Sequence, residues 1–372
     1  MKKTAFVILF ALAVWAGAYV YSDYIPHLYC EYKNHFVADS FYYYIAAVNY
    51  ATGKDFASLC KSERPYYSQT MCHGENPKVD FYEICPDWVR YFLPRFGYYV
   101  PSAFLLGVFG SPHALIVLPF LGFLGSVILF YLLSRELNAS HPVLSTAVFS
   151  TLPTVLYSAV HYIPDIVGLF FVLAIVLCAV RIVKGDGRKR LYAFIILSSV
   201  LYTTVREAPL VVLATVFLFS LMNKQKALKV LSVLLAACTA ALMFLIEIFL
   251  HAKVVFTAFF LGLGLRVGTP LETVALEFIK RHTVTPFVTF FRIMTNEFGL
   301  LLLFLGAGIA VWRGERIQRT LCASIFAIQL IWIFVHPYED FRFFFLLLIP
   351  FCMWTSDGIY YFIDKTVSRR RT

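Results

Sequence analysis

Residues 115–133 read LIVLPFLGFLGSVILFYLL, a run without a single charged side chain. A second run, residues 230–250, reads VLSVLLAACTAALMFLIEIFL and contains one glutamate. A helix needs about 20 predominantly apolar residues to cross the roughly 30 Å hydrocarbon core of a membrane. Both runs have that length, so they predict membrane-spanning helices.

The composition extends this prediction to the whole chain. Of 372 residues, 60% are hydrophobic and 15% are charged, against about 25% charged in a soluble domain. We therefore predict an all-α polytopic membrane protein, a single domain over residues 1–372, with about ten transmembrane helices. The first, Thr4 to Tyr21, is long for a signal-peptide core and lacks an obvious cleavage site, so a retained span is preferred over a signal peptide. The others are predicted at 112–133, 142–162, 165–183, 191–204, 208–222, 228–250, 288–312, 320–336 and 343–363. The segments 191–204 and 208–222 are short, so they form either a hairpin that does not cross fully or two thin or tilted helices.

The charge pattern predicts the orientation. More than half of the 32 lysine and arginine residues fall in short loops and tails on the side of the N-terminus. Positively charged loops stay in the cytosol, so we predict a multi-pass protein with both termini cytosolic. This topology explains the net charge of +10, which therefore does not indicate nucleic-acid binding. The partners that it predicts are the bilayer and its anionic headgroups.

Two long loops, at about 23–101 and 251–285, and a short turn at 337–342 are extracytoplasmic in this topology. The first loop contains four cysteines, Cys30, Cys60, Cys72 and Cys85. An oxidising compartment favours one or two disulfides that staple this loop, in any of three pairings. A zinc site is the alternative, and the absence of a CxxC pair makes it the less favoured one.

The first loop also contains an isolated acid, Asp39, in the stretch ADSFYYYIAAVNYATG (38–53). An aspartate before a helix is a common N-cap, which is the structural interpretation. The functional interpretation is a catalytic base that accepts a proton from an attacking hydroxyl. In that case Tyr42 and Tyr43 bind a sugar ring on their aromatic faces. The two interpretations are compatible.

Four further charged residues stand at predicted membrane boundaries, where ionisable groups are costly and mark functional sites. Asp165 begins a span in HYIPD, and its alternative role is to complement the helix dipole. Arg206 and Glu207 join two short spans; they either pair with each other or bind substrate in a cavity. Arg95 either contacts a phosphate or extends its charge to the interface.

The turn HPYEDFRFFFLLLIP (336–350) places three charged residues before a very apolar helix: Glu339, Asp340 and Arg342. The planar fork of arginine donates two parallel hydrogen bonds to a phosphate. These residues are therefore candidates for substrate binding. The histidines show no HxxxH pair and no His/Asp cluster at ligand spacing, so no fixed structural metal is predicted.

The order of these features resembles the GT-C superfamily of integral-membrane glycosyltransferases, which use polyprenyl-phosphate-linked sugars. The likeness is to the branch with protein O-mannosyltransferases and lipid A aminoarabinose transferases. The resemblance rests on ADSFYYYIAAVNYATG after a first span and on RFGYYVPSAFLLGVFGSPHAL (95–115). It continues in YSAVHYIPD (157–165), TTVREAPL (203–210) and PYEDFRFFFLLLIP (337–350).

The resemblance implies an enzyme that moves a sugar from a polyprenyl-phosphate donor to a hydroxyl on the extracytoplasmic face, with inversion. The acceptor is a lipid, a glycan or a protein. Asp39 matches the catalytic base or a ligand to a divalent metal ion, Arg95 and Arg342 match phosphate-binding residues, and Asp165 matches the Pro-Asp at the start of a span. The alternatives are a transporter or lipid flippase, and a non-catalytic subunit of an envelope-assembly complex.

Overall fold

The computed structural model describes residues 2–24, 38–62, 89, 93–206, 209–249, 270–283, 288, 291, 294–295, 299–335 and 345–369. Within these ranges the regular structure is entirely helical. The α-helices, in chain order, are α1 (Lys2–Tyr24), α2 (Ala38–Thr52), α3 (Phe56–Ser62), α4 (Phe96–Phe109), α5 (Val117–Glu136), α6 (Pro142–Thr151), α7 (Pro153–Val160), α8 (Asp165–Val183), α9 (Lys189–Val205), α10 (Pro209–Met222), α11 (Lys226–Phe249), α12 (Leu271–Thr283), α13 (Leu302–Val311), α14 (Arg316–Val335) and α15 (Leu348–Arg369). Short 3-10 turns occupy Leu93–Arg95, Pro112–Ile116, Gly299–Leu301 and Phe345–Leu347.

Five helices of the described ranges are long and apolar enough to cross a membrane: Lys3–Val20, Pro112–Glu136, Asp165–Val183, Lys226–Leu245 and Phe345–Val367. A sixth candidate is the pair formed by α6 and α7, if the two helices together form one broken span. These helices identify an integral membrane protein, as the composition predicts.

The prediction of ten spans is not supported. The span predicted at 142–162 is bent by 60° between α6 and α7, because Pro153 cannot donate the backbone hydrogen bond that would continue α6. The segments predicted at 191–204 and 208–222 form α9 and α10, of 17 and 14 residues, both shorter than the roughly 20 residues of a typical crossing helix. From the span predicted at 288–312, the structure describes only α13 and short fragments as helical.

The predicted disulfide staple is described at one cysteine only. Cys60, buried on α3, is disulfide-bonded, while Cys30, Cys72 and Cys85 lie outside the described residues. The pairing of the cysteines in the first loop therefore stays a prediction.

The helices share one large apolar core and a smaller second one. In the large core α5 packs against α8, α8 against α9, α10 against α11, and α13 against α15. The last pair is very close, since a side chain added at Gly308 would meet the backbone of Trp354. The second core joins α2 and α4 through buried tyrosines. It lies beside the start of α8, because Tyr162 belongs to it and Asp165 follows three residues later.

Candidate active site

Arg95 is the first charged residue of the candidate site. It ends the 3-10 turn before α4, and only 7% of its surface is exposed. Its Nη1 donates a hydrogen bond to the hydroxyl of Tyr43 on α2, and its guanidinium carbon lies 5.6 Å from the centre of the Tyr43 ring. A buried charge is stable only with such partners. This contact therefore fixes Arg95 where α2 and α4 meet.

Three buried tyrosines continue the site from Arg95 toward α8. The ring of Tyr98 meets the ring of Tyr43 edge-on, with centroids 5.2 Å apart, and stacks on Tyr162 at 5.0 Å. All three rings are completely buried. Among the residues that the structure describes, the Tyr98 hydroxyl has no hydrogen-bond partner. A buried hydroxyl without a partner is uncommon, so Tyr98 is a candidate for contact with a ligand.

The protonation of Tyr98 follows from its surroundings. Burial raises its pKa well above the usual value, and the neighbouring Tyr162, Tyr43 and Asp165 raise it further. Burial also raises the pKa of Tyr162. Both hydroxyls are therefore protonated at neutral pH, and that of Tyr98 is available as a hydrogen-bond donor.

Asp165 and Arg206 form a buried ion pair at the same end of the helices. Asp165 is the first residue of α8 and Arg206 follows the last residue of α9. The Nη1 of Arg206 contacts an Oδ1 of Asp165, and their side chains are 7% and 1% exposed. The helix dipole also favours the negative charge of Asp165 at the start of α8 and the positive charge of Arg206 at the end of α9. Asp165 follows Tyr162 by three residues, and the ring of Tyr162 stacks on that of Tyr98, so the pair lies beside the tyrosines.

Two glycines allow the helices of the site to approach each other. A Cβ added at Gly97 would overlap the hydroxyl of Thr204 on α9 and lie 2.9 Å from the Thr204 Cβ. A Cβ added at Gly168 would lie 3.0 Å from the Tyr202 ring and 3.8 Å from the Cδ of Arg206. The missing side chains therefore bring the residues next to Arg95 and Asp165 against the end of α9.

We expect Gly97→Ala to push α4 away from α9 and to disturb Arg95. Overpacking of this kind costs about 1–3 kcal/mol of stability, and thermal unfolding of the purified protein in detergent measures it. Gly107→Ala is the matched control on the same helix, because a Cβ there meets nothing within 4 Å. Since alanine favours a helix over glycine by about 1 kcal/mol, the control should be unchanged or more stable. Equal melting temperatures for the two variants would contradict the close contact.

The structure brings together four of the predicted site residues, Tyr43, Arg95, Asp165 and Arg206, with Tyr43 as a partner of Arg95. The described partner of Arg206 is Asp165. Glu207 lies outside the described residues, so its predicted pairing with Arg206 stays a prediction. Sequence analysis missed Tyr98 and Tyr162, although both stand in the quoted stretches RFGYYVPSAF and YSAVHYIPD.

The other predicted residues are only partly described. Asp39 lies in the first turn of α2, one turn before Tyr43, and its side chain is outside the description. Tyr42 is buried on the same helix. The turn with Glu339, Asp340 and Arg342 lies outside the described residues. Across the described ranges, no group of three or more His, Cys, Asp or Glu side chains has a metal-binding arrangement.

Comparison with known proteins supports the fold. No protein-family model and no curated protein matches the sequence. Among solved structures, an oligosaccharyltransferase of Archaeoglobus fulgidus in complex with zinc and sulfate matches 98% of this chain and 50% of its own, with a TM-score of 0.54 and 15% identity. The chain shares the fold of part of this enzyme. At this identity the match shows the fold alone, and the chain spans about half the length of the enzyme.

A second match is the oligosaccharyltransferase AglB of Archaeoglobus fulgidus in complex with an inhibitory peptide and a dolichol-phosphate. It covers 97% of this chain and 51% of the AglB chain at 14% identity, with a TM-score of 0.49. That score is too low for further conclusions.

Proposed function

We propose that this protein is a membrane glycosyltransferase that moves a sugar from a polyprenyl-phosphate donor to an acceptor hydroxyl on the extracytoplasmic face. One observation carries the proposal: two buried arginines, Arg95 and Arg206, lie in one packed cluster at the end of a membrane-spanning helix. The fold shared with part of an oligosaccharyltransferase supports the same reaction class.

The donor phosphate binds next to the two arginines in this proposal. Guanidinium groups remain charged and match phosphate oxygens with two parallel hydrogen bonds. The ring of Tyr98 contacts that of Tyr43, which contacts Arg95, and that of Tyr162, which lies three residues before Asp165. The protonated hydroxyl of Tyr98 offers a third donor to the phosphate. In the same proposal Glu207, Glu339, Asp340 and Arg342 are further substrate-binding residues.

The lipid tail of the donor runs along α4. Beyond the buried tyrosines, this helix exposes Phe104, Val108 and Phe109. Exposed large apolar side chains of a membrane protein face lipid, and a polyprenyl chain is chemically equivalent to lipid tails. The tail and the phosphate are thus bound by consecutive parts of one helix.

Asp39 acts as the base. It removes the proton of the acceptor hydroxyl while the oxygen forms a bond to the sugar C1, and the bond between C1 and the phosphate oxygen breaks. Polyprenyl phosphate leaves with the electron pair, and the arginines stabilise the charge that develops on it. A single displacement inverts the anomeric centre. The helical position of Asp39, one turn before Tyr43, supports this role, because Tyr43 contacts Arg95.

The test is a transfer assay with purified protein, radiolabelled polyprenyl-phosphate mannose, glucose and arabinose, and a cell-envelope extract as acceptor. We expect Asp39→Asn to lower transfer about 10²- to 10⁴-fold, the usual contribution of a general base, without loss of donor binding. Asp55→Asn is the matched control, since Asp55 is an exposed acid just after α2. Full transfer by the Asp39 variant would refute its role as base.

Two further arms of the assay separate the alternatives. A divalent-ion chelator that abolishes wild-type transfer would assign Asp39 the role of metal ligand instead of base, as the resemblance allows. If the wild-type protein transfers no sugar but moves the donor lipid across vesicle membranes, the protein is a transporter and the glycosyltransferase proposal is wrong.

A further inference from the structure

A cationic cavity lies at the end of α8 opposite to Asp165. Its volume is about 330 Å³. Six charged residues line it: Glu136, Arg181, Lys184, Asp186, Arg188 and Arg190. Since α8 has 19 residues and a helix rises 1.5 Å per residue, about 28 Å separates this cavity from the candidate active site. It is therefore a different site.

The charges of the cavity do not balance. Its two carboxylates are each paired, Glu136 with Arg181 at 2.9 Å and Asp186 with Arg188. No ion pair is described for the other two cations, Lys184 and Arg190, within the part of the chain that the structure covers. Arg190 also lies in the first turn of α9, where the helix dipole attracts an anion. The cavity therefore favours a negatively charged ligand.

The position of the cavity indicates a lipid. Two candidate spans, Pro112–Glu136 and Asp165–Val183, end at its rim, so it lies at the depth of phospholipid headgroups. Arg190 is followed on the same face of α9 by Phe194, Leu197 and Leu201. These side chains are 55%, 53% and 39% exposed. A cationic residue at the head of an exposed apolar stripe matches the headgroup and the acyl chains of a phospholipid.

We propose that this cavity binds the phosphate of an anionic phospholipid, with Lys184 and Arg190 contacting the headgroup and the apolar stripe of α9 contacting an acyl chain. The ion pairs with Glu136 and Asp186 hold Arg181 and Arg188 in place around the phosphate. The proposal does not depend on the glycosyltransferase activity, because site and ligand lie at the other end of the helices.

Native mass spectrometry of the purified, delipidated full-length protein tests the site. We expect phosphatidylglycerol to bind in one saturable copy and phosphatidylcholine to bind more weakly. The double substitution Lys184→Ala/Arg190→Ala should lower the affinity for phosphatidylglycerol about 30-fold, since each cation near a membrane surface contributes a factor of about five. Replacing Phe194 and Leu197 by alanine should also lower the affinity for phosphatidylglycerol.

The matched control is Lys226→Ala/Arg316→Ala. It also removes one lysine and one arginine, both exposed at the first residues of other helices, and should leave phosphatidylglycerol binding unchanged. Melting temperatures verify that both double variants are folded. Equal losses of phosphatidylglycerol affinity in the two double variants would show that binding depends on the overall charge, and would overturn the proposed site. Competition by soluble glycerol phosphate at the same concentration as the lipid would show a free-phosphate site and overturn the lipid assignment.

Discussion

Asp165→Leu should be the most destabilising single substitution in the site, at about 3–5 kcal/mol, because it removes a buried carboxylate that pairs with the buried Arg206 guanidinium. The double variant Asp165→Leu/Arg206→Met removes both charges and fills the space with apolar atoms. Exchanges of this kind are often neutral or stabilising, so its stability should return close to that of the wild type. Its transfer activity should remain at least 100-fold lower, because the phosphate loses one arginine.

Thermal unfolding in detergent and the transfer assay, applied to the same preparations, separate stability from activity. Arg181→Met is the stability control at the other end of α8. It breaks the ion pair of Arg181 with Glu136, in which both side chains are about one-third exposed. The substitution should therefore lower the stability by less than about 1 kcal/mol. If the double variant regained both stability and transfer, the Asp165–Arg206 pair would be structural and the phosphate site would have to lie elsewhere.

Arg95→Ala should lower transfer about 10²- to 10³-fold, the usual effect of removing one group that stabilises developing charge. Arg95→Lys keeps the charge but loses the planar fork, so it should not restore the rate. Tyr43→Phe leaves Arg95 in place without its hydroxyl acceptor. A hydrogen bond to a charged group contributes about 1.5–3 kcal/mol. The transfer rate of this variant should therefore lie between those of the wild type and Arg95→Ala.

A comparable arginine elsewhere in the chain provides the control. The guanidinium carbon of Arg135 lies 5.9 Å from the centre of the Tyr131 ring, a contact like that of Arg95 with Tyr43. Arg135 is exposed at the end of α5, far along the helix from the tyrosine cluster. Arg135→Ala should therefore retain transfer. A wild-type transfer rate in the Arg95→Ala variant would show that Arg95 has no role in the proposed reaction.

Several residues of the candidate site were predictable because a charged side chain next to a long apolar run is energetically costly. Asp165, Arg206 and Arg95 stand next to long apolar runs, and a charge in such a place must have a partner or a function. Which partner each one has was not predictable. Asp165 and Arg206 are 41 residues apart and Tyr43 and Arg95 are 52 residues apart, so each contact depends on how two helices pack.

The sequence by itself determined that this is a helical membrane protein, because long uncharged runs are stable only where the backbone satisfies its own hydrogen bonds in lipid. It did not determine the number of spans. The break at Pro153 follows from local backbone geometry, which hydropathy does not register. Only the tertiary structure decided that Arg206 pairs with Asp165 and that the ring of Tyr98 contacts those of Tyr43 and Tyr162. The physical reason is that Gly97 and Gly168 let α4 and α8 come close to α9.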